Sequence, residues 1–276
     1  MRPAGALAAC VLLAGCAGLG ARPSAPPRLD GYLSASQMTG LAVLTPPPFA
    51  VTGADDLAMT RAVEPGTDRW WLAIAHAELR PPEAAQHFDC VLGTRLAEKP
   101  RPALTRLMGR LLSDAETLTQ AMARQTPEGA RKRPIAVIDG LEPCQRLAPG
   151  TRQSPAWPAG GAVAAGAYGR LFATLAPDQA EAARRMGREI GWSRVVCRLN
   201  WASDVEAGLE TGESLYARAA AQPGFAADLE AARAEVAAAR AEGLTSPACA
   251  AERRALRQWR APGRRSYAGR GLTSEP

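Results

Sequence analysis

Histidine is almost missing from this 276-residue chain, which contains only His76 and His87. A histidine-rich metal cluster is thereby excluded, and the cysteines do not replace it, because they lack the close pairing of a zinc site. Aromatic residues make up only 5%, and β-branched residues are sparse beside alanine and leucine. That mix disfavours sheet and favours helix, since alanine and leucine lose little freedom in a helix. Alternating strand patterns and internal repeats are both absent. The apolar stretch at residues 6–13 is too short to span a bilayer as a stable helix.

What is present is a hydrophobic content of 47%, enough for one sizeable core or two small ones. Gly 26 and Pro 23 are high for a helical protein and fall largely in the first 67 residues and in loops. The formal charge is +6, with arginine far ahead of lysine. A modest basic excess points to anionic partners such as phosphate esters or lipid headgroups, and no nucleic-acid partner is expected.

Met1-Arg2, the apolar residues 6–13 and Leu13-Ala14-Gly15-Cys16 have the layout of an export signal. Leu-Ala-Gly-Cys resembles the lipobox of bacterial lipoproteins, which implies cleavage after residue 15 and lipid on Cys16. Ala17 rather than aspartate in the next position implies the outer membrane, with the chain on its periplasmic side. The alternative is an ordinary signal cut near Ala17 or Ala21. Four further cysteines, Cys90, Cys144, Cys197 and Cys249, suit two disulfides in an oxidising compartment. Three connectivities are open, and the reading favours Cys90–Cys144 with Cys197–Cys249.

Residues 16–40 read as a tether carrying Ser24-Ala25-Pro26-Pro27, and Pro46-Pro47-Pro48 marks a second extended stretch. From Asp68, taken as a cap, the pattern predicts a helix with Trp70, Trp71, Ile74, Ala75 and Leu79, stopped by Pro81-Pro82. The next helix carries His87, Cys90 and Leu92. One follows over Leu104–Leu112 spacing, and another opens at Ser113 or Asp114. Residues 131–157 read as a long loop of the kind that carries function. Helices are predicted over 162–175, 177–201, 204–220 and 226–241, with Gly243 placed to end the last. Residues 251–276 read as a frayed helix end and a basic tail. The fold class expected is all-α, one helical domain over residues 41–250.

Three segments carry the chemistry: Arg131-Lys132-Arg133-Pro134; Trp157-Pro158-Ala159-Gly160-Gly161; and Gly191 to Asp204, containing Ser193-Arg194, Asn200 and Asp204. In order and separation they resemble the tripartite signature of the type 2 phosphatidic acid phosphatase superfamily, in particular the bacterial class A non-specific acid phosphatases. That signature is Lys, six residues, Arg-Pro; Pro-Ser-Gly-His; and Ser-Arg, five residues, His, three residues, Asp. The resemblance spans residues 40–250 and implies a fold of the class A acid phosphatase and vanadium haloperoxidase type. It also implies a histidine nucleophile, a second histidine as general acid, a cradle of cations and turn amides for the phosphoryl oxygens, and no cofactor or metal.

Carried over residue by residue, the resemblance assigns Arg133, Ser193, Arg194 and Gly160 to phosphate binding and Asp204 to orienting the nucleophile, one helical turn away on a shared face. The nucleophile position holds Asn200 and the general-acid position holds Gly161. The family's lysine falls on Thr126 without a gap, or on Arg124 with a two-residue insertion. An asparagine amide is no nucleophile, and glycine donates no proton from a side chain. Loss of a nucleophile alone costs about 10⁴ to 10⁶ in rate. The expectation is a catalytically degenerate acid phosphatase that retains a pocket for phosphate or a phosphorylated small molecule. The rival readings are an active acid phosphatase with a rearranged site, through His87 or a water held by Asp204, and a purely structural envelope lipoprotein.

Overall fold

The computed structural model describes residues 29–42, 54–125 and 131–262. Cys16 and the signal segment, Pro46-Pro47-Pro48, Thr126 and the arginines beyond 262 lie outside the described residues. Within them the chain forms α1 (Ala35–Leu41), α2 (Ala54–Thr60), α3 (Asp68–Ala75), α4 (Asp89–Leu92), α5 (Pro102–Gln125), α6 (Pro134–Val137), α7 (Gly160–Leu175), α8 (Ala180–Val196), α9 (Ala202–Ala220), α10 (Pro223–Ala241) and α11 (Cys249–Gln258). Short 3-10 turns occupy Glu83–Phe88 and Pro177–Gln179, and no strand occurs among the described residues. The all-α expectation holds.

The centre of the fold is α7, whose Gly160-Gly161-Ala162-Val163-Ala164-Ala165-Gly166-Ala167 start is apolar on every side. A helix apolar all round belongs inside the protein, and α7 packs between α8 and α9. The side chains at these contacts are too small to hold the helices apart. A Cβ added at Gly212 of α9 would lie 2.0 Å from the Val163 carbonyl oxygen, and one at Gly187 of α8 would lie 2.8 Å from Gly169 Cα. Glycine is required at both positions because backbone meets backbone there. Around this trio, α5 contributes Leu104, Leu107, Met108, Leu111 and Leu118, all buried, and Phe88 stacks on Phe172 at 4.0 Å.

Several boundaries differ from the sequence reading, each for a local reason. Ser113 and Asp114 do not open a new helix, because α5 runs unbroken for 24 residues. The Asp114 carboxylate instead accepts the backbone N–H groups of Tyr32 (2.8 Å) and Leu33 (3.2 Å). Residues 29–42, read largely as tether, are therefore clamped to the core, and Tyr32 also packs edge-on against Phe225 and donates to Asp228 at 2.7 Å. At α3 the cap is Thr67, whose hydroxyl accepts from Trp70 N–H, and Asp68 stands in the first turn. That helix ends at Ala75, short of Leu79.

The helix predicted to reach Trp201 stops at Val196. Arg198 adopts φ 63, Leu199 N–H bonds the Arg194 carbonyl (3.0 Å), and Arg198 N–H bonds that of Val195 (2.8 Å). These paired bonds form a Schellman turn, built here on arginine in place of the usual glycine. Gly243, at φ 66 just past α10, performs the same service as expected.

The first part of the supposed tail is α11, docked on α3. The disulfides are Cys90–Cys249 and Cys144–Cys197, which corrects the favoured pairing. Once α11 folds back along α3, Cys249 meets Cys90 in α4, and Cys144 of the long loop meets Cys197 at the Schellman turn.

Candidate functional site

The three motifs converge around the start of α7. Ala159, the residue before the helix, has no side chain that caps it. Gly160 and Gly161 occupy its first two positions, where backbone N–H groups lack intrahelical acceptors. They open onto a cleft of about 530 Å³ that is also walled by Arg80, Thr119, Gln120 and Arg194. Glu116 is the single carboxylate among the described residues lining it.

Arg194, in the last turn of α8, reaches into this cleft across Gly161. A Cβ on Gly161 would lie 2.9 Å from Arg194 Cδ and 3.1 Å from its Nε. The space in which the family pattern calls for a histidine is thus occupied by the arginine stem. Arg194 Nε is enclosed without a hydrogen-bond partner, and among the described residues no carboxylate pairs with the guanidinium. Burial, and secondly the nearby charge of Arg133, push its pKa down to about 10. A desolvated cation at an uncapped helix start favours an anion, through both its charge and the aligned amides.

The remaining motif residues stand near this cleft without lining it. Arg133 is spent on protein: Nε donates to the Thr151 carbonyl at 3.0 Å and to Ser154 Oγ, and a terminal nitrogen donates to the Leu199 carbonyl at 2.8 Å. Ser193 is buried facing away, its hydroxyl donating to the Glu189 carbonyl (2.9 Å) and accepting from Arg69 (3.1 Å). Asn200 is buried and donates through Nδ2 to the Ala156 carbonyl at 2.6 Å, pinning the third motif to the second.

Asp204 does not sit on one helix face with Asn200. Asn200 lies in the turn before α9, whereas Asp204 is in the first turn of α9 and accepts Trp201 N–H at 3.0 Å. Its other oxygen meets Arg131 Nε at 2.8 Å, and Arg131 also bridges to Asp56 at 2.8 Å. Burial raises the Asp204 pKa to about 6, with Arg131 opposing. Arg124 is exposed in the last turn of α5, one turn beyond Gln120 on the same helix face.

Neither histidine lines the Arg194 cleft. His76 touches the third motif from the opposite side, its Nδ1 2.8 Å from Ser193 Oγ, and His87 Nε2 lies 2.7 Å from the Glu78 carbonyl oxygen. Sequence reasoning missed two buried arginines. Arg131 of the first motif bridges Asp56 and Asp204, and Arg69, 0% exposed, holds Ser193 and Glu189. Nothing in the sequence separates Arg69 from a surface arginine. The cleft walls Thr119 and Gln120 follow only once α5 is seen to be continuous.

An arginine and two helix-start glycines thus meet in one cleft of an all-α domain. No family model matches the chain. It is 30% identical over 176 residues to the non-specific acid phosphatase of Salmonella typhimurium, covering 62% of this chain and 68% of that protein. It is 29% identical over 210 residues to the acid phosphatase of Zymomonas mobilis (74% and 78% covered) and 27% identical over 212 residues to the non-specific acid phosphatase of Providencia stuartii (75% and 84%). The chain belongs to the acid phosphatase family.

Proposed function

We propose that the protein is a degenerate class A acid phosphatase of the type 2 phosphatidic acid phosphatase superfamily that binds phosphate or a phosphorylated small molecule and does not turn it over. The observation that carries this reading is Arg194, enclosed without a carboxylate partner among the described residues and laid across the glycine start of α7. A half-buried cation with no carboxylate partner gains from a ligand that supplies the counter-charge. Around it the residues that would perform chemistry are missing or engaged elsewhere. Asn200 holds a backbone carbonyl, Gly161 has no side chain, and Asp204 holds Arg131.

Neither histidine and no cysteine lines the cleft among the described residues, Cys90, Cys144, Cys197 and Cys249 being in disulfides, and the Thr119 hydroxyl that does line it donates to the Ala115 carbonyl. We further propose export through the segment ending at Cys16, with lipid on that cysteine and retention at the periplasmic face of the outer membrane. No helix among the described residues is long and apolar enough to cross a membrane.

Inorganic phosphate titrated calorimetrically into the soluble Cys16→Ser protein tests the binding claim. Saturable binding that Arg194→Met weakens by roughly tenfold or more supports it. Absence of binding supports the structural-lipoprotein reading instead.

A further inference from the structure

The two histidines that the Arg194 cleft leaves unused share a second cavity, of about 310 Å³. Its walls come from α3 (Trp71, Leu72) and His76 at its C-terminal end, from the Glu83–Phe88 turn (His87), and from α11 (Ala251, Glu252). The Cys90–Cys249 disulfide ties α11 into this position.

Hydrogen-bond accounting sets the protons. Ser193 Oγ has one proton and gives it to the Glu189 carbonyl, so toward His76 Nδ1, 2.8 Å away, it acts as an acceptor. His76 therefore carries its proton on Nδ1 and a lone pair on Nε2. That Nε2 is buried and has no partner, although His76 is only 1% exposed. His87 Nε2 faces a carbonyl oxygen, which accepts only, so its proton is on Nε2 and its lone pair on Nδ1. Burial lowers the pKa of both rings, keeping them neutral.

The cavity is thus lined by two neutral imidazoles, of which His76 has an unpartnered Nε2, and by Glu252 and Asp68, with no cationic side chain among its described lining. Arg254 meets Asp68 from the exposed side at 3.4 Å. No group of three or more His, Cys, Asp or Glu among the described residues is arranged to hold a metal ion. Trp71, 60% exposed, and Leu72 supply apolar wall.

We propose that this cavity is a second ligand site for a small organic cation, a primary alkylammonium that donates to His76 Nε2 and Glu252 and lays its carbon chain against Trp71 and Leu72. Acceptors and negative charge select the ammonium, and the size suits a ligand at the small end of the ordinary pocket range. Glu252 is the group whose protonation couples to binding. Asp89 of α4 and Glu189 of α8 add to burial in raising its pKa to about 7, and Arg253 opposes them; His76 and His87 face it uncharged. A bound ammonium stabilises the carboxylate, so binding near pH 7 releases protons.

The test is calorimetry of hexylamine and of hexanoate against the full-length Cys16→Ser protein, in two buffers of different ionisation enthalpy. Hexylamine is expected to bind saturably with proton release, and hexanoate not to bind. Glu252→Gln should weaken the amine by roughly tenfold or more and abolish proton release. Ala251→Phe, a change at an exposed cavity wall, should block binding. Both variants should keep the wild-type response to inorganic phosphate, whatever that is, and Ala251→Phe should keep the wild-type melting profile. Equal binding of hexanoate, no amine binding to folded wild type, or amine binding indifferent to both substitutions overturns the proposal.

Discussion

Arg194 lies over Gly161 so closely that a Cβ at the glycine would be 2.9 Å from Arg194 Cδ. The absence of a side chain at 161 and the position of the arginine are one structural fact. Gly161→Ala is expected to push the guanidinium out of its place and to weaken phosphate binding several-fold, at a stability cost of about 1–3 kcal/mol from overpacking. Titration calorimetry and a urea melt on the same preparation check both effects.

Arg131 lies between Asp56 and Asp204, 2.8 Å from each carboxylate. Removing it takes the bridging guanidinium away from two buried carboxylates. Arg131→Met should destabilise the protein by about 3–5 kcal/mol, measured by urea denaturation at neutral pH. Asn200→Ala removes one neutral hydrogen bond to the Ala156 carbonyl and should cost less, about 1–3 kcal/mol.

Burial, with Asp89 and Glu189 adding to it, raises the Glu252 pKa to about 7. The folded protein therefore binds more protons than the unfolded chain between the ordinary glutamate range and pH 7. The stability contribution of this group is fully present below that range and is lost as pH rises through 7. Glu252→Gln should flatten this part of the stability profile and raise stability above pH 7 by about 1–3 kcal/mol, as read from melts across pH.

The Cys90–Cys249 bond spans 159 residues of sequence and fastens α11 against α3. The Cys90→Ala, Cys249→Ala double variant should lose about 2–5 kcal/mol and expose the C-terminal helix to proteolysis first. A non-reducing peptide digest of the wild type should recover Cys90 linked to Cys249 and Cys144 linked to Cys197.

Much of the architecture was legible because α7 to α10 announce themselves locally, through small-residue or apolar periodicity, Pro223 at a helix start and Gly243 beyond a helix end. The motif residues were legible too, but not the directions their side chains take. Ser193 and Arg194 are neighbours in sequence, and the helical step between them sends one to Arg69 and His76 and the other into the cleft. Asp114 looked like a cap because aspartate commonly is one; its real partners, Tyr32 and Leu33, lie about 80 residues away, where no local pattern reaches. The disulfide pairing failed for the same reason, since it depends on α11 returning to α4. The end of α8 was hidden because a left-handed turn was built on Arg198 rather than on a residue that advertises it.

The most direct test of the central claim is hydrolysis of an activated aryl phosphate across mildly acidic pH by soluble Cys16→Ser protein, run beside its Arg194→Met variant with phosphate binding measured on both. Wild type is expected to bind phosphate through Arg194 yet to hydrolyse the ester no faster than the variant. Hydrolysis by wild type that Arg194→Met abolishes would contradict it and place a working nucleophile in the cleft.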